Sequence, residues 1–127
     1  MGNGTHLGRV RGLGSAREGA HHWWRQRLTA ASNLFLMAWF LVAIARLPGY
    51  DHASVQLWLA SAWVAVPLAL LVASVLYHVR LGLQVVIEDY QHDESRVVMM
   101  ILLNAFVIAL GAIALFSILK VALGASA

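Results

Sequence analysis

The stretch VVMMILLNAFVIALGAIALFSIL, Val97 to Leu119, decides the fold class. It carries no charged residue and is closed by Lys120. As a helix rising about 1.5 Å per residue, it is long enough to cross the ~30 Å hydrocarbon core of a bilayer. Working outward, Leu28 to Ala45 is also uncharged and lies between Arg27 and Arg46. It forms a first span over residues 28–46, ended by Pro48-Gly49 and preceded by Trp23 and Trp24, placed as interfacial aromatics. A second apolar run extends from Val55 to Ile87, interrupted in its far half by His78, Arg80 and Gln84. Pro67 lies inside this run and is tolerable in a membrane helix, with a kink. Glu88 to Arg96 is a polar loop, in which Asp93 or Ser95 is placed to cap the third helix and Glu94 to favour its positive end. The expected fold is all-α, with three transmembrane helices over 28–46, 55–87 and 97–119. These form one domain, 20–127, behind a flexible basic tail, 1–19.

Composition agrees. Hydrophobic residues make up 61% of the 127, charged residues 12%, and mean hydropathy is +0.73. A soluble domain of this size needs more polar surface. The formal charge of +3 comes from basic residues beside apolar runs, which fits membrane topology better than nucleic acid. There is no cysteine, so the chain holds no disulfide and no ordinary iron–sulfur cluster.

Orientation follows from the arginines. Arg9, Arg11, Arg17, Arg25 and Arg27 precede span one, and Arg80 and Arg96 flank the loop after span two; only Arg46 and Lys120 lie on the other side. Seven against two puts the N-terminus and the 88–96 loop inside. The tail, Met1 to Gly19, lacks the apolar segment of a secretory signal; its Arg content faintly resembles a mitochondrial transit peptide, but its glycines favour a cytoplasmic tail.

Three groups of residues could carry chemistry. His78 lies within a span, where ionisable groups are costly and usually functional. Ser74, His78 and Gly82 are spaced i, i+4, i+8 and share one helix face. Small residues above and below an imidazole leave room for a flat macrocycle, whose iron takes a neutral imidazole nitrogen. The alternative is small-residue packing, with His78 hydrogen-bonded across a helix interface. Asp89 and Tyr90 follow about 16 Å further along the same helix, at the inner interface. A phenol there can donate to a quinone carbonyl and a carboxylate can relay protons; the alternative is a belt tyrosine beside a solvated loop. Arg25 and Arg27 begin span one, suited either to propionate carboxylates or to snorkelling. The adjacent His21 and His22 form only a weak metal motif.

The run Tyr77-His78-Val79-Arg80-Leu81-Gly82-Leu83-Gln84-Val85-Val86-Ile87-Glu88-Asp89-Tyr90 is similar to a pattern of the hydrophobic membrane-anchor subunits of succinate dehydrogenase. Gly82 stands four residues, and Asp89-Tyr90 eleven and twelve residues, after His78 as in that family, whose Gln sometimes stands later. His21 to Arg27, followed by Thr29-Ala30, resembles the start of the family's first helix, especially in alphaproteobacteria. The resemblance implies that His78 is an axial ligand to the iron of heme b and that Tyr90, supported by Asp89, binds ubiquinone. It implies that Arg27 and His21 face the propionates, with Ser74 and Gly82 beside the heme. It further implies that a second, sister anchor subunit packs against this chain and supplies the other heme ligand. FAD, the iron–sulfur clusters and succinate oxidation then belong to a flavoprotein and an iron–sulfur subunit. The implied location is the bacterial cytoplasmic membrane rather than the mitochondrial inner membrane. Two rivals stand beside this reading: a cytochrome b anchor of another membrane dehydrogenase, and a heme-free structural or transport protein.

Overall fold

The computed structural model describes residues 19–124; most of the expected N-terminal tail lies outside them. All regular structure among these residues is helical: α1 (Gly19–Ala45), α2 (His52–Ala60), α3 (Ala62–Tyr90) and α4 (Asp93–Ala122). α1, α3 and α4 are each long and apolar enough to cross a membrane. The 29 residues of α3 run about 43 Å, longer than the hydrocarbon core, so its ends project beyond it.

The three long helices are antiparallel neighbours in sequence order. α3 packs against both α1 and α4, which do not meet each other. The first end of the bundle therefore gathers the start of α1, the end of α3 and the start of α4. Short α2 lies at the opposite end, against α3 and α4, with the Trp58 ring 6.4 Å from that of Phe40 on α1.

Two expectations about element limits are corrected, and one is met. Among the described residues helix α1 covers Gly19–Ala45, so His21 to Arg27, read above as resembling the start of a first helix, is helical. Nothing in that segment breaks a helix. The Val55–Ile87 run is not one helix: it breaks at Ser61, whose backbone is extended (φ −76°, ψ 126°). The Ser61 carbonyl accepts from the N–H groups of Val64 and Ala65 and restarts the helix as α3. The break moves Pro67 from the middle of a long helix to the second turn of a new one, nearer the end where a missing N–H matters least. It also moves the midpoint to Leu76, so His78 lies about 3 Å from the helix centre rather than the ~9 Å that a helix starting at Trp58 would give. Finally, neither Asp93 nor Ser95 caps α4. His92 holds the cap position without a side-chain bond, and Asp93 is already helical, with a left-handed φ of 52°. The Ser95 hydroxyl instead reaches the His92 carbonyl at 2.7 Å and Gln91 Oε1 at 3.1 Å.

Helix α2 has a complete cap. Asp51 accepts from the Ser54 N–H at 3.1 Å and from its hydroxyl at 2.6 Å. Gly49 packs close beside it: a Cβ there would come within 2.8 Å of Asp51 Oδ1, so the carboxylate would have to shift.

Candidate functional site

The half-buried positions of α1 on its α3 side include His22, Gln26, Thr29, Asn33, Leu36, Phe40 and Ala43. Their spacing alternates four and three, the seam of a helix pair packed side by side. The half nearer the first end is polar. Opposite it stand Ser74, His78 and Gly82, on one face of α3 as their i, i+4, i+8 spacing requires.

Thr29 meets His78: its Oγ1 is 2.9 Å from Nδ1. The same hydroxyl lies 2.9 Å from the carbonyl oxygen of Arg25 and 3.1 Å from that of Gln26. The other imidazole nitrogen, Nε2, has no hydrogen-bond partner among the described residues. One turn toward the first end, Gln26 covers Gly82; a Cβ there would meet Gln26 Nε2 at 3.7 Å, an ordinary contact. One turn the other way, the antiparallel register brings Asn33 to the level of Ser74. Four polar atoms in this seam are buried without a partner: His22 Nε2, Gln26 Oε1, Asn33 Oδ1 and Ser74 Oγ. Such atoms are rare in a finished interior and costly in hydrocarbon.

At the first end the seam opens into a cleft of about 780 Å³, lined by His22, Arg25, Gln26, Arg80, Gln84 and Glu88 among others. Arg80 is held toward α4. Its Nε donates to Asn104 Oδ1 at 2.7 Å and its Nη1 to Gln84 Oε1 at 3.4 Å. Gln84 Nε2 in turn donates to Glu88 Oε1 at 2.9 Å, and Asn104 Nδ2 to the Met100 carbonyl at 2.8 Å.

The remaining expected site residues stand apart from His78. Asp89 and Tyr90 are the last residues of α3; both are exposed, Tyr90 by 76%, and neither bonds another described side chain. Arg27 is exposed, its guanidinium 5.5 Å above the Trp23 ring on the far side of α1 from Thr29. His21 is exposed as well, about 120° around the helix from Arg27. Ser74, His78 and Gly82 are thus brought together against α1, whereas Arg27 and His21 do not converge within this chain. No cluster of three or more His, Cys, Asp or Glu side chains forms among the described residues.

Sequence reasoning missed the partners supplied by α1. The signal was present: polar residues at 22, 26, 29 and 33 recur on a seam spacing. The bond from Arg80 to Asn104 was missed as well, although both are polar residues inside apolar runs.

Residues 1–118 match the family model described as succinate dehydrogenase/fumarate reductase transmembrane subunit. The succinate dehydrogenase hydrophobic membrane anchor subunit of Rickettsia bellii is 35% identical over 114 residues, covering 89% of this chain and 83% of that one. The protein of the same description from Rickettsia conorii is 32% identical, over 79% and 81%. That of Paracoccus denitrificans is 29% identical, over 90% and 88%. No solved structure matches the chain significantly.

Proposed function

From the premise that the chain belongs to the succinate dehydrogenase/fumarate reductase transmembrane subunit family, as a membrane anchor subunit of succinate dehydrogenase, we propose that His78 ligates a heme b and that Tyr90 and Asp89 form part of a ubiquinone-reduction site. The observation that carries the heme reading is the imidazole in the α1–α3 seam, with Nδ1 engaged by Thr29 and Nε2 without a partner. The unengaged imidazole nitrogen of His78 would hold the iron of a heme, with Ser74 and Gly82 on the same helix face leaving room for the macrocycle. Heme b, when bound, supplies a one-electron carrier within the membrane. A further ligand would be supplied by a sister anchor subunit.

The remaining roles follow from position. Tyr90 and Asp89 stand at the first end, which the arginine distribution assigns to the inside. The Tyr90 hydroxyl donates to a quinone carbonyl, and the Asp89 carboxylate passes protons toward the reduced oxygen or orients a cation. Their exposure leaves them open to a quinone and to the iron–sulfur and flavoprotein subunits, which dock there and carry succinate oxidation. Arg27 and His21, at the same end, meet propionates once the site is closed by the sister anchor. The corresponding location is the bacterial cytoplasmic membrane.

The test is the reduced-minus-oxidised visible spectrum of the complex, wild type beside His78→Ala. A b-type band lost or shifted in the variant supports axial ligation. An unchanged band places the ligand elsewhere and leaves His78 as a packing residue. In the same complex, Tyr90→Phe lowers quinone reduction while leaving the band in place; loss of the band would show that the two sites are not separate.

A further inference from the structure

A hydrogen bond joins a hydroxyl on α1 to the centre of α3. Thr29 Oγ1 carries one hydrogen and three neighbours compete for it: the Arg25 carbonyl at 2.9 Å, the Gln26 carbonyl at 3.1 Å and His78 Nδ1 at 2.9 Å. Carbonyl oxygens only accept. Back-bonding to the preceding turn is the usual arrangement of a helical threonine, and it directs the hydrogen to Arg25 or Gln26. The hydroxyl oxygen then faces Nδ1 as an acceptor, so the proton of the neutral imidazole sits on Nδ1. The lone pair is left on Nε2, the nitrogen without a partner among the described residues.

We infer that Thr29 is the positioning residue of the heme ligand: it selects the His78 tautomer that presents Nε2 to iron, and it fixes the ring plane by tying it to α1. The inference rests on the heme reading above and deepens it. Two consequences follow from an acceptor on the distal nitrogen of a metal-bound imidazole. The ring becomes more basic, which favours the ferric state and lowers the reduction potential, and metal affinity rises. Because Thr29 belongs to another helix, the ligand field also becomes sensitive to the α1–α3 register. A shift of one turn along α1 would replace Thr29 with Gln26 or Asn33, both of which carry N–H donors able to compete for the proton arrangement.

The experiment is a redox titration of the heme band, with the ferric EPR spectrum, in the purified complex carrying wild type, Thr29→Val, Thr29→Ser or His78→Ala. Thr29→Val keeps the volume and removes the acceptor. The expected result is a b-type band with a raised midpoint potential, altered g-values and heme affinity roughly 10–100-fold lower. Thr29→Ser keeps the hydroxyl and restores the wild-type potential. A Thr29→Val complex with heme, potential and g-values unchanged overturns the inference; so does Thr29→Ser shifting as far as Thr29→Val, since the methyl rather than the hydroxyl would then matter. If Thr29→Val fails to assemble, Thr29→Ser decides: wild-type potential and g-values support the role of the hydroxyl, and a shifted potential overturns it. His78→Ala separates the two levels. If the band survives that substitution unchanged, the heme reading itself fails. If His78→Ala abolishes the band while Thr29→Val is indistinguishable from wild type, only the role of Thr29 fails.

Discussion

Helix α3 has two neighbours and treats them differently. Toward α4 its interface is finished. Leu103 and Ile118 are buried on α4, which α3 packs against. The charged group Arg80 is bonded through Asn104, whose own amide reaches a backbone carbonyl. Toward α1 the interface is unfinished. No residue of α1 is buried, and four polar atoms of the seam have no partner. An interface that is complete within one chain serves the fold. Polar atoms left unsatisfied in hydrocarbon persist only where something outside the chain, or a cofactor, uses them. The contrast assigns structure to α3–α4 and function to α1–α3, and it can be broken at several points.

The largest effect on stability is expected on the finished side. Arg80→Leu leaves Asn104 Oδ1 without its donor and should cost about 1–2 kcal/mol of helix–helix stability, at the upper end of what membrane hydrogen bonds contribute. Unfolding in mixed micelles would measure it. The heme band should remain, because the Arg80 guanidinium, although it borders the cleft, is bonded to Asn104 of α4 rather than to any residue of α1. A stable Arg80→Leu chain that has lost its heme would reverse the assignment of the two interfaces. Gly111→Leu tests the same side by volume. A Cβ at Gly111 already lies 3.5 Å from Leu76 Cδ1, so the larger side chain should overpack the contact by about 1–3 kcal/mol.

On the unfinished side, substitutions should be nearly silent in the isolated chain and visible in the complex. Ser74→Ala removes a hydroxyl that has no partner here, so the chain alone should lose nothing and could gain a few tenths of a kcal/mol. In the assembled complex the same change should cost about 1 kcal/mol, the net value of a typical hydrogen bond. Equal effects in both settings would mean that Ser74 is merely tolerated. Gly82→Ala follows the same logic: its Cβ meets only Gln26 Nε2, at an ordinary distance, so packing changes by less than about 0.5 kcal/mol. A fall in heme content with stability intact would show that the glycine leaves room for the cofactor.

How much of this contrast was legible beforehand depends on which physics sets each feature. Transmembrane length and polarity are properties of single segments, so the three spans and the shared face of Ser74, His78 and Gly82 could be read from spacing alone. The break at Ser61 could not. Pro67 signalled a disturbance in the Val55–Ile87 run, but the chain relieved it six residues earlier, where a serine carbonyl could restart the helix. The partners of His78 and Arg80 were hidden for a different reason. Thr29 lies 49 positions from His78 and Asn104 lies 24 from Arg80, and such pairings depend on helix register, which periodicity within one segment does not fix. The polar spacing of His22, Gln26, Thr29 and Asn33 was the readable half of that information; the composition of the facing helix was the other half.

Helix α2 supplies a control for the comparison, since its N-terminal cap is satisfied locally by exposed groups. The Asp51 carboxyl is held below its ordinary value of 3.8, first by the hydrogen bond from the Ser54 side chain and then by that from the Ser54 backbone. Because the folded-state value is the lower one, the cap contributes stability that is fully present above the ordinary carboxylate range. It is lost as pH falls through the folded value. Amide protection at the start of α2 should therefore be unchanged between pH 7 and pH 5 and weaken only under more acidic conditions, with the spans unaffected. The effect should be small, because the group is exposed to solvent. Asp51→Ala should give the weakened protection at every pH, while Asp51→Asn, which still offers an acceptor, should keep the cap and lose the pH dependence. If acid instead loosened α1 against α3 before it frayed α2, the seam would contain a titrating contact that governs its packing, and the division into a finished and an unfinished interface would have to be redrawn around that group.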